Sequence, residues 1–355
     1  MQMIRRAAKG RDGARATSRR RTAVYAIALA VTGTLALSAC GSGGSGSGGD
    51  KNKVAAVVKG LDNPFFQSME KGIQAQAKSG DVSVKVQAAN SITDTTGQAD
   101  KLTGLAGRPY GCFIVNPISA TNLVQGLAKV AAAKKTIINI DSPVDPKAAK
   151  AAKATPATYI GTDNVDAGKT AGAQMAKLLP QGGNVAVIGG IAGGVTSGAR
   201  VEGFKQGVGP DVKVVQTVAA DWDRQTALTA ATDVMRGHPD LKGFFVANDD
   251  MGLGVSRAIA NAGKTGKVKV ISVDGIKDAL SAVKAGRLDA TVAQYPYTIG
   301  QMGVEACQAA AAGKELPKNV KAPVELVTKA DADKALASTP KPFGSYDDPF
   351  KKLGK

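Results

Sequence analysis

Aromatic residues are scarce in this chain, at 4% of 355 positions with a single tryptophan, so each ring needs a purpose. Histidine is scarcer still. The lone His238, in Gly237-His238-Pro239-Asp240, excludes any mechanism that needs two histidines. It reads as a helix end, where a partly cationic imidazole complements the dipole. Three cysteines (Cys40, Cys112, Cys307) show no CxxC or metal-ligand spacing, so no zinc site is expected. Cys112 falls in an apolar strand and Cys307 in an alanine-rich helix; both read as small core hydrophobes, with a disulfide between them left open. Basic runs are missing outside the first 39 residues. Those residues hold eight cations against Asp12, so +7 of the formal +17 belongs to them and +10 is dispersed over the rest. Without a basic run or interleaved aromatics, nucleic-acid binding is not expected.

What is present begins with a leader. Residues 1–22 are basic and residues 23–39 nearly all apolar or small, the pattern of an export signal. The run ends Leu37-Ser38-Ala39-Cys40-Gly41, which resembles the lipobox of bacterial lipoproteins. That resemblance implies cleavage before Cys40 and lipidation of its thiol, and two or more acyl chains make such attachment stable. Residues 40–52 are then an anchor and a Gly/Ser tether, holding the folded part roughly 20 Å from a membrane. The expected location is the outer face of the cell membrane.

From Lys51 onward short apolar runs alternate with amphipathic stretches. Strands are expected near 54–58, 82–86, 111–115, 136–140, 184–188, 212–218, 243–247, 268–273 and 288–292, with helices between them. That alternation predicts an α/β fold of βαβ units with parallel sheets. Nine or ten strands over this length suggest two sheets. After about residue 329 the chain turns polar and Pro-rich, so 330–355 reads as a surface tail.

The strand ends carry the chemistry. The first is Leu61-Asp62-Asn63-Pro64-Phe65-Phe66, where Pro64 suits a helix start and Asn63 a cap. Later ends bear Asn116-Pro117, Asp141-Ser142, Asn248-Asp249-Asp250, Asp274-Gly275 and Gln294, with Trp222 between Asp221 and Asp223 and Arg200 after a Gly-rich turn. An Asn or Asp at a strand end commonly caps the next helix. Taken together they place carboxylates, amides, a guanidinium and aromatic faces at one sheet edge, where open α/β sheets bind ligands. Planar polar groups can hold adjacent hydroxyls, and rings can cover C–H patches, so the set suits a sugar.

The segments Asn63-Pro64-Phe65-Phe66, Val115-Asn116-Pro117, Asn248-Asp249, Val273-Asp274-Gly275 and Ala293-Gln294 resemble those of ribose-binding-type periplasmic binding proteins, the type I solute-binding components of sugar ABC importers. The likeness runs from about residue 53 to 329. It implies two Rossmann-like lobes flanking a cleft and a three-segment hinge near 161–163, near 294–295 and just before Pro323. The lobes would be 53–161 with 295–322, and 162–294 with 323–329. Implied ligand-binding residues are Asn63, Phe65, Phe66, Asn116, Asp141, Arg200, Trp222, Asn248, Asp274 and Gln294. Ser142 departs from the pattern: the ribose binder has arginine there, and a serine cannot supply a forked donor. A larger or differently oriented sugar, or a polyol, therefore fits as readily as ribose. The implied partners are a sugar and the membrane subunits of an ABC transporter, with no cofactor and a monomeric state.

Rival readings are weaker. Gly189-Gly190-Ile191-Ala192-Gly193-Gly194 lacks G-x-G-x-x-G spacing, and Gly168-Lys169-Thr170 lacks the upstream glycine of a P-loop, so an enzyme is not expected. A sugar-responsive repressor would need a DNA-binding element where the leader stands. A receptor presenting a bound signal molecule, such as an autoinducer-type sugar, to a sensor or chemoreceptor would share the same cleft.

Overall fold

Apolar runs of four to six residues become the strands of two sheets, because a parallel sheet covered by helices on both faces buries both sides of each strand. The computed structural model describes residues 49–353. The leader, Cys40 and the tether up to residue 48 lie outside these described residues. The first half runs β1 (Asp50–Val58), α1 (Pro64–Ser79), β2 (Ser83–Ala88), α2 (Thr95–Ala106), β3 (Tyr110–Val115), α3 (Val124–Ala132), β4 (Thr136–Ile140), α4 (Pro146–Ala151) and β5 (Thr158–Gly161). It continues with α5 (Asn164–Leu178), β6 (Gly183–Gly189), α6 (Val195–Gly207), β7 (Val212–Ala219), α7 (Arg224–Gly237), β8 (Gly243–Val246), α8 (Asp249–Asn261), β9 (Lys269–Asp274), α9 (Lys277–Lys284) and β10 (Ala290–Gln294). The chain then closes with α10 (Pro296–Ala311), β11 (Asn319–Lys321), β12 (Val324–Thr328), α11 (Ala332–Ser338) and α12 (Pro349–Leu353).

One six-stranded sheet has the order β11-β5-β4-β3-β1-β2 and the other β12-β10-β9-β8-β6-β7. Every pairing is parallel except β10 with β12. The strand order turns around β1 in the first sheet and β6 in the second, so each lobe offers a ligand crevice at its strand C-termini. The chain crosses between sheets after β5, after β10 and between β11 and β12.

Helix starts follow the local chemistry. Asn63 caps α1, its Oδ1 accepting from the Phe65 amide at 2.9 Å, and Pro64 stands in the first turn. α5 and α6 pack so closely that a Cβ at Gly168 would strike the Arg200 carbonyl, so the Gly168-Lys169-Thr170 triplet serves helix packing. His238 ends α7, as its surroundings in sequence suggest.

Two features differ from expectation or resolve what was open. Cys112 on β3 and Cys307 on α10 form a disulfide across a separation of 195 residues. Both sit in the first lobe's core, beside Ile114 and Met302. The segment expected as a surface tail is the correction. Ala332 and Ala335 of α11 are buried against the second lobe, and Phe350 of α12, 2% exposed, enters the core of the first. Phe343 and Phe350, seven residues apart among prolines and aspartates, are too sparse a signal for periodicity to register.

Phe350 brings Asp348 against Glu305 on α10. Burial and the adjacent Asp348 carboxylate push the Glu305 carboxyl from an ordinary value of 4.5 up to about 7, while the Lys351 cation opposes the rise. The folded state thus holds this proton more tightly than the unfolded chain. Its contribution falls as pH climbs from about 4.5 to 7 and is level above that. Melting temperatures measured from pH 4.5 to 8 should decline less steeply for Glu305→Gln than for the wild type. Parallel profiles would show that Glu305 is not the titrating group.

Candidate functional site

The strand C-termini of both sheets converge on one cavity of about 530 Å³, in the range of small-molecule sites. Nine of the eleven residues singled out from sequence line it: Asn63, Phe65, Phe66, Asp141, Ser142, Arg200, Trp222, Asn248 and Asp274. Asn116 and Gln294 do not line it. Asn116 is fully buried, with Nδ2 3.5 Å from the Met69 sulfur, and Gln294 donates from Nε2 to Asp274 Oδ1 at 2.6 Å. The Asn116 Oδ1 and Gln294 Oε1 atoms are buried with no partner among the described residues.

The capping explanation for the asparagines is correct, and it also serves the site. Asn248 Oδ1 accepts from the Met251 amide at 2.9 Å just as Asn63 Oδ1 accepts from Phe65. Among the described residues no hydrogen bond engages either amide nitrogen, so both donors stand at the cavity without a protein partner. Phe65 and Phe66 meet edge to face, with centroids 5.2 Å apart, and form the aromatic wall of the first lobe.

Asp141, Asp221, Trp222 and Asp274 adopt φ of 59°, 52°, 64° and 136°. Non-glycine residues in this region carry strain that the surrounding structure must hold, and such strain clusters at ligand sites. At Asp141 the Tyr159 hydroxyl donates to the carbonyl at 2.6 Å and fixes the turn. At Trp222 the glycine turn after β6 makes room, since a Cβ at Gly190 would collide with the indole. This gives Gly189–Gly190 a purpose other than cradling phosphate.

The charged centre is Arg200 with Asp274. Arg200 donates from Nε to Asn164 Oδ1 at 2.8 Å, and from Nη1 to the Ala247 carbonyl at 2.6 Å and to Asp274 Oδ1 at 3.3 Å. Its guanidinium carbon also lies 5.8 Å from the Trp222 ring. Burial pushes the Asp274 carboxyl up to about 8, with Asp249 and Asp141 adding like charge and Arg200 opposing. Asp249 faces inward instead: it accepts from the Ser272 hydroxyl, from Thr291 Oγ1 at 2.7 Å and from the Ile276 amide at 2.9 Å, tying β9, β10 and the start of α9 together.

Sequence reasoning missed Lys59. It stands directly after β1, its Nζ donating to Ser142 Oγ at 2.7 Å and lying 3.8 Å from Asp141 and 5.2 Å from the Phe66 centroid. Burial lowers its pKa, as does Arg200, while Asp141 and Asp274 oppose. The signal was available, since a lysine ending a buried strand is as informative as an asparagine there. The structure therefore places a lysine amine beside Asp141 and Ser142, supplied from the end of β1.

Residues 54–315 match the family model described as a periplasmic binding protein domain. The chain belongs to this family. The D-allose-binding periplasmic protein of Escherichia coli is 40% identical over 269 residues, covering 74% of this chain and 86% of that protein. The ribose import binding protein of Bacillus subtilis is 33% identical, covering 77% and 86%. Among solved structures, an ABC transporter periplasmic solute binding protein from Actinobacillus succinogenes with bound D-allose has a TM-score of 0.75 at 30% identity, covering 79% of this chain and 99% of that one. This periplasmic binding protein thus has the type I α/β architecture of two helix-covered sheets, and its relatives are solute-binding proteins, not enzymes.

Proposed function

We propose that this periplasmic binding protein is an exported lipoprotein that captures a monosaccharide between its lobes and delivers it to an ABC importer. The observation that carries the reading is the cavity itself, where two phenylalanines and a tryptophan share a lining with Asp141, Asp274, Arg200, Lys59 and two uncommitted amides. Aromatic walls suit the C–H faces of a sugar ring, and the carboxylates and cations suit its hydroxyls. Within this reading residues 1–39 are the export signal, Cys40 is the lipidated residue and 41–52 the tether. The lobes close about the three crossings like a hinge trap, and the closed form meets the transporter's membrane subunits.

The ligand class follows from the Lys59–Ser142 pair. An arginine after the aspartate would offer a planar fork; here a single ammonium and a hydroxyl leave more room. A pyranose fits this description, and D-allose is the first candidate because relatives that carry it in their names lie at 40% and 30% identity. A thermal-shift panel of aldohexoses, pentoses and polyols tests the proposal, since a ligand of the folded state raises the melting temperature. D-allose or another hexose should give the largest rise and D-ribose a smaller one. A ribose response equal to the best hexose would overturn the ligand class, and a flat panel would overturn sugar binding.

A further inference from the structure

We infer that the C-terminal segment is a fourth link between the lobes, a short strap that limits how far the cleft opens. Its first anchor is at the hinge of the second lobe. Glu325 on β12 accepts from the Phe343 amide at 3.2 Å and the Gly344 amide at 2.7 Å, and the Tyr295 hydroxyl also donates to it. The Phe343 side chain packs against the cluster of Leu280, Ala293, Tyr295 and Val327, and Lys334 Nζ lies 5.0 Å from its ring centroid. The second anchor is in the first lobe. Phe350 is 2% exposed in the core that holds Met302 and Ile299, with Tyr346 and Leu353 packed beside it. Asp348 steadies α12 by accepting from the Phe350 amide at 3.1 Å and pairing with Lys351 at 3.3 Å.

Between Gly344, bound to one lobe, and Asp348, buried at the other, stand only Ser345, Tyr346 and Asp347. Such a link spans at most about 14 Å. Both anchors are seated while the cavity is lined from both lobes, so the strap is satisfied in this arrangement. A wider opening must stretch the link or pull Phe350 from its core. Three hinge crossings set the axis of motion; the strap sets its extent. Shortening the excursion raises the share of binding-competent protein, and apparent affinity scales with that share.

The test separates a strap from a merely stabilising tail. Four glycines inserted between Ser345 and Tyr346 keep both anchors but lengthen the link. Spin labels on Thr103→Cys and Thr229→Cys, both exposed and one on each lobe, report the interlobe distance in the mature protein. Cys112 and Cys307 are occupied by their disulfide and do not take the label. The insertion should lengthen and broaden the ligand-free distance distribution, leave the melting temperature unchanged, and weaken the best ligand of the sugar panel about three- to tenfold. Phe350→Ala should widen the distribution in the same way while lowering the melting temperature. An unchanged distribution in the glycine-inserted protein would overturn the strap. The distance readout needs no sugar, so its outcome stands apart from the ligand assignment.

Discussion

Replacing Asp274 by alanine is expected to weaken sugar binding about 30- to 1,000-fold while leaving the fold intact. Asp274 holds Gln294 and Arg200 at once, and it stands at the cavity in a strained conformation that only its surroundings maintain. Without the carboxyl group, the Arg200 guanidinium loses a hydrogen-bond acceptor in a buried site and the cavity loses a polar partner for a ligand. Truncating one member of such a pair costs about 2–4 kcal/mol, most of it from leaving the other member unpaired. Asp274→Asn keeps the volume and a hydrogen-bond acceptor, so it should lose less than alanine. Calorimetry on the three proteins checks this; equal affinities would place the ligand elsewhere.

The second large effect concerns stability. Converting Cys112 and Cys307 together to alanine should destabilise the protein by about 4–5 kcal/mol, a drop on the order of 10 °C in melting temperature. The bond closes a loop of 195 residues that includes most of the second lobe, so the unfolded chain gains much freedom when the bond is lost. It also fastens α10 onto β3 where the chain returns to the first lobe after its long excursion. A disulfide of this kind forms in an oxidising compartment, in keeping with export. Calorimetric scans of wild type with and without reductant, beside the double variant, provide the check. Coincident melting curves would mean the pair contributes no constraint.

The sheets were legible in sequence because buried parallel strands are continuous apolar runs such as Val54-Ala55-Ala56-Val57-Val58, and these need no context to be recognised. Their carboxyl ends were legible for the same reason, which is how Asn63, Asp141, Asn248 and Asp274 were found together. Lys59 was not, because a lone lysine reads as solvated until a fold encloses it beside Asp141 and Ser142. The positive φ of Asp141 and Trp222 was hidden too, since no glycine or asparagine marks either position. Asn116 and Gln294 show the opposite limit: strand-end position selects residues near the cleft but does not distinguish the lining from what supports it. The disulfide and the strap depend on contacts between segments far apart in the chain, Cys112 with Cys307 and Phe350 with the α10 face, which periodicity does not encode.

Sugar capture is decided by calorimetric titration of the mature protein with D-allose, D-ribose and the strongest sugar from the thermal panel. One-to-one binding of a hexose at micromolar affinity or better is expected, with ribose at least about tenfold weaker and the hexose signal lost in Asp274→Ala. Submicromolar ribose binding would contradict the ligand class, and no heat with any sugar would contradict the function.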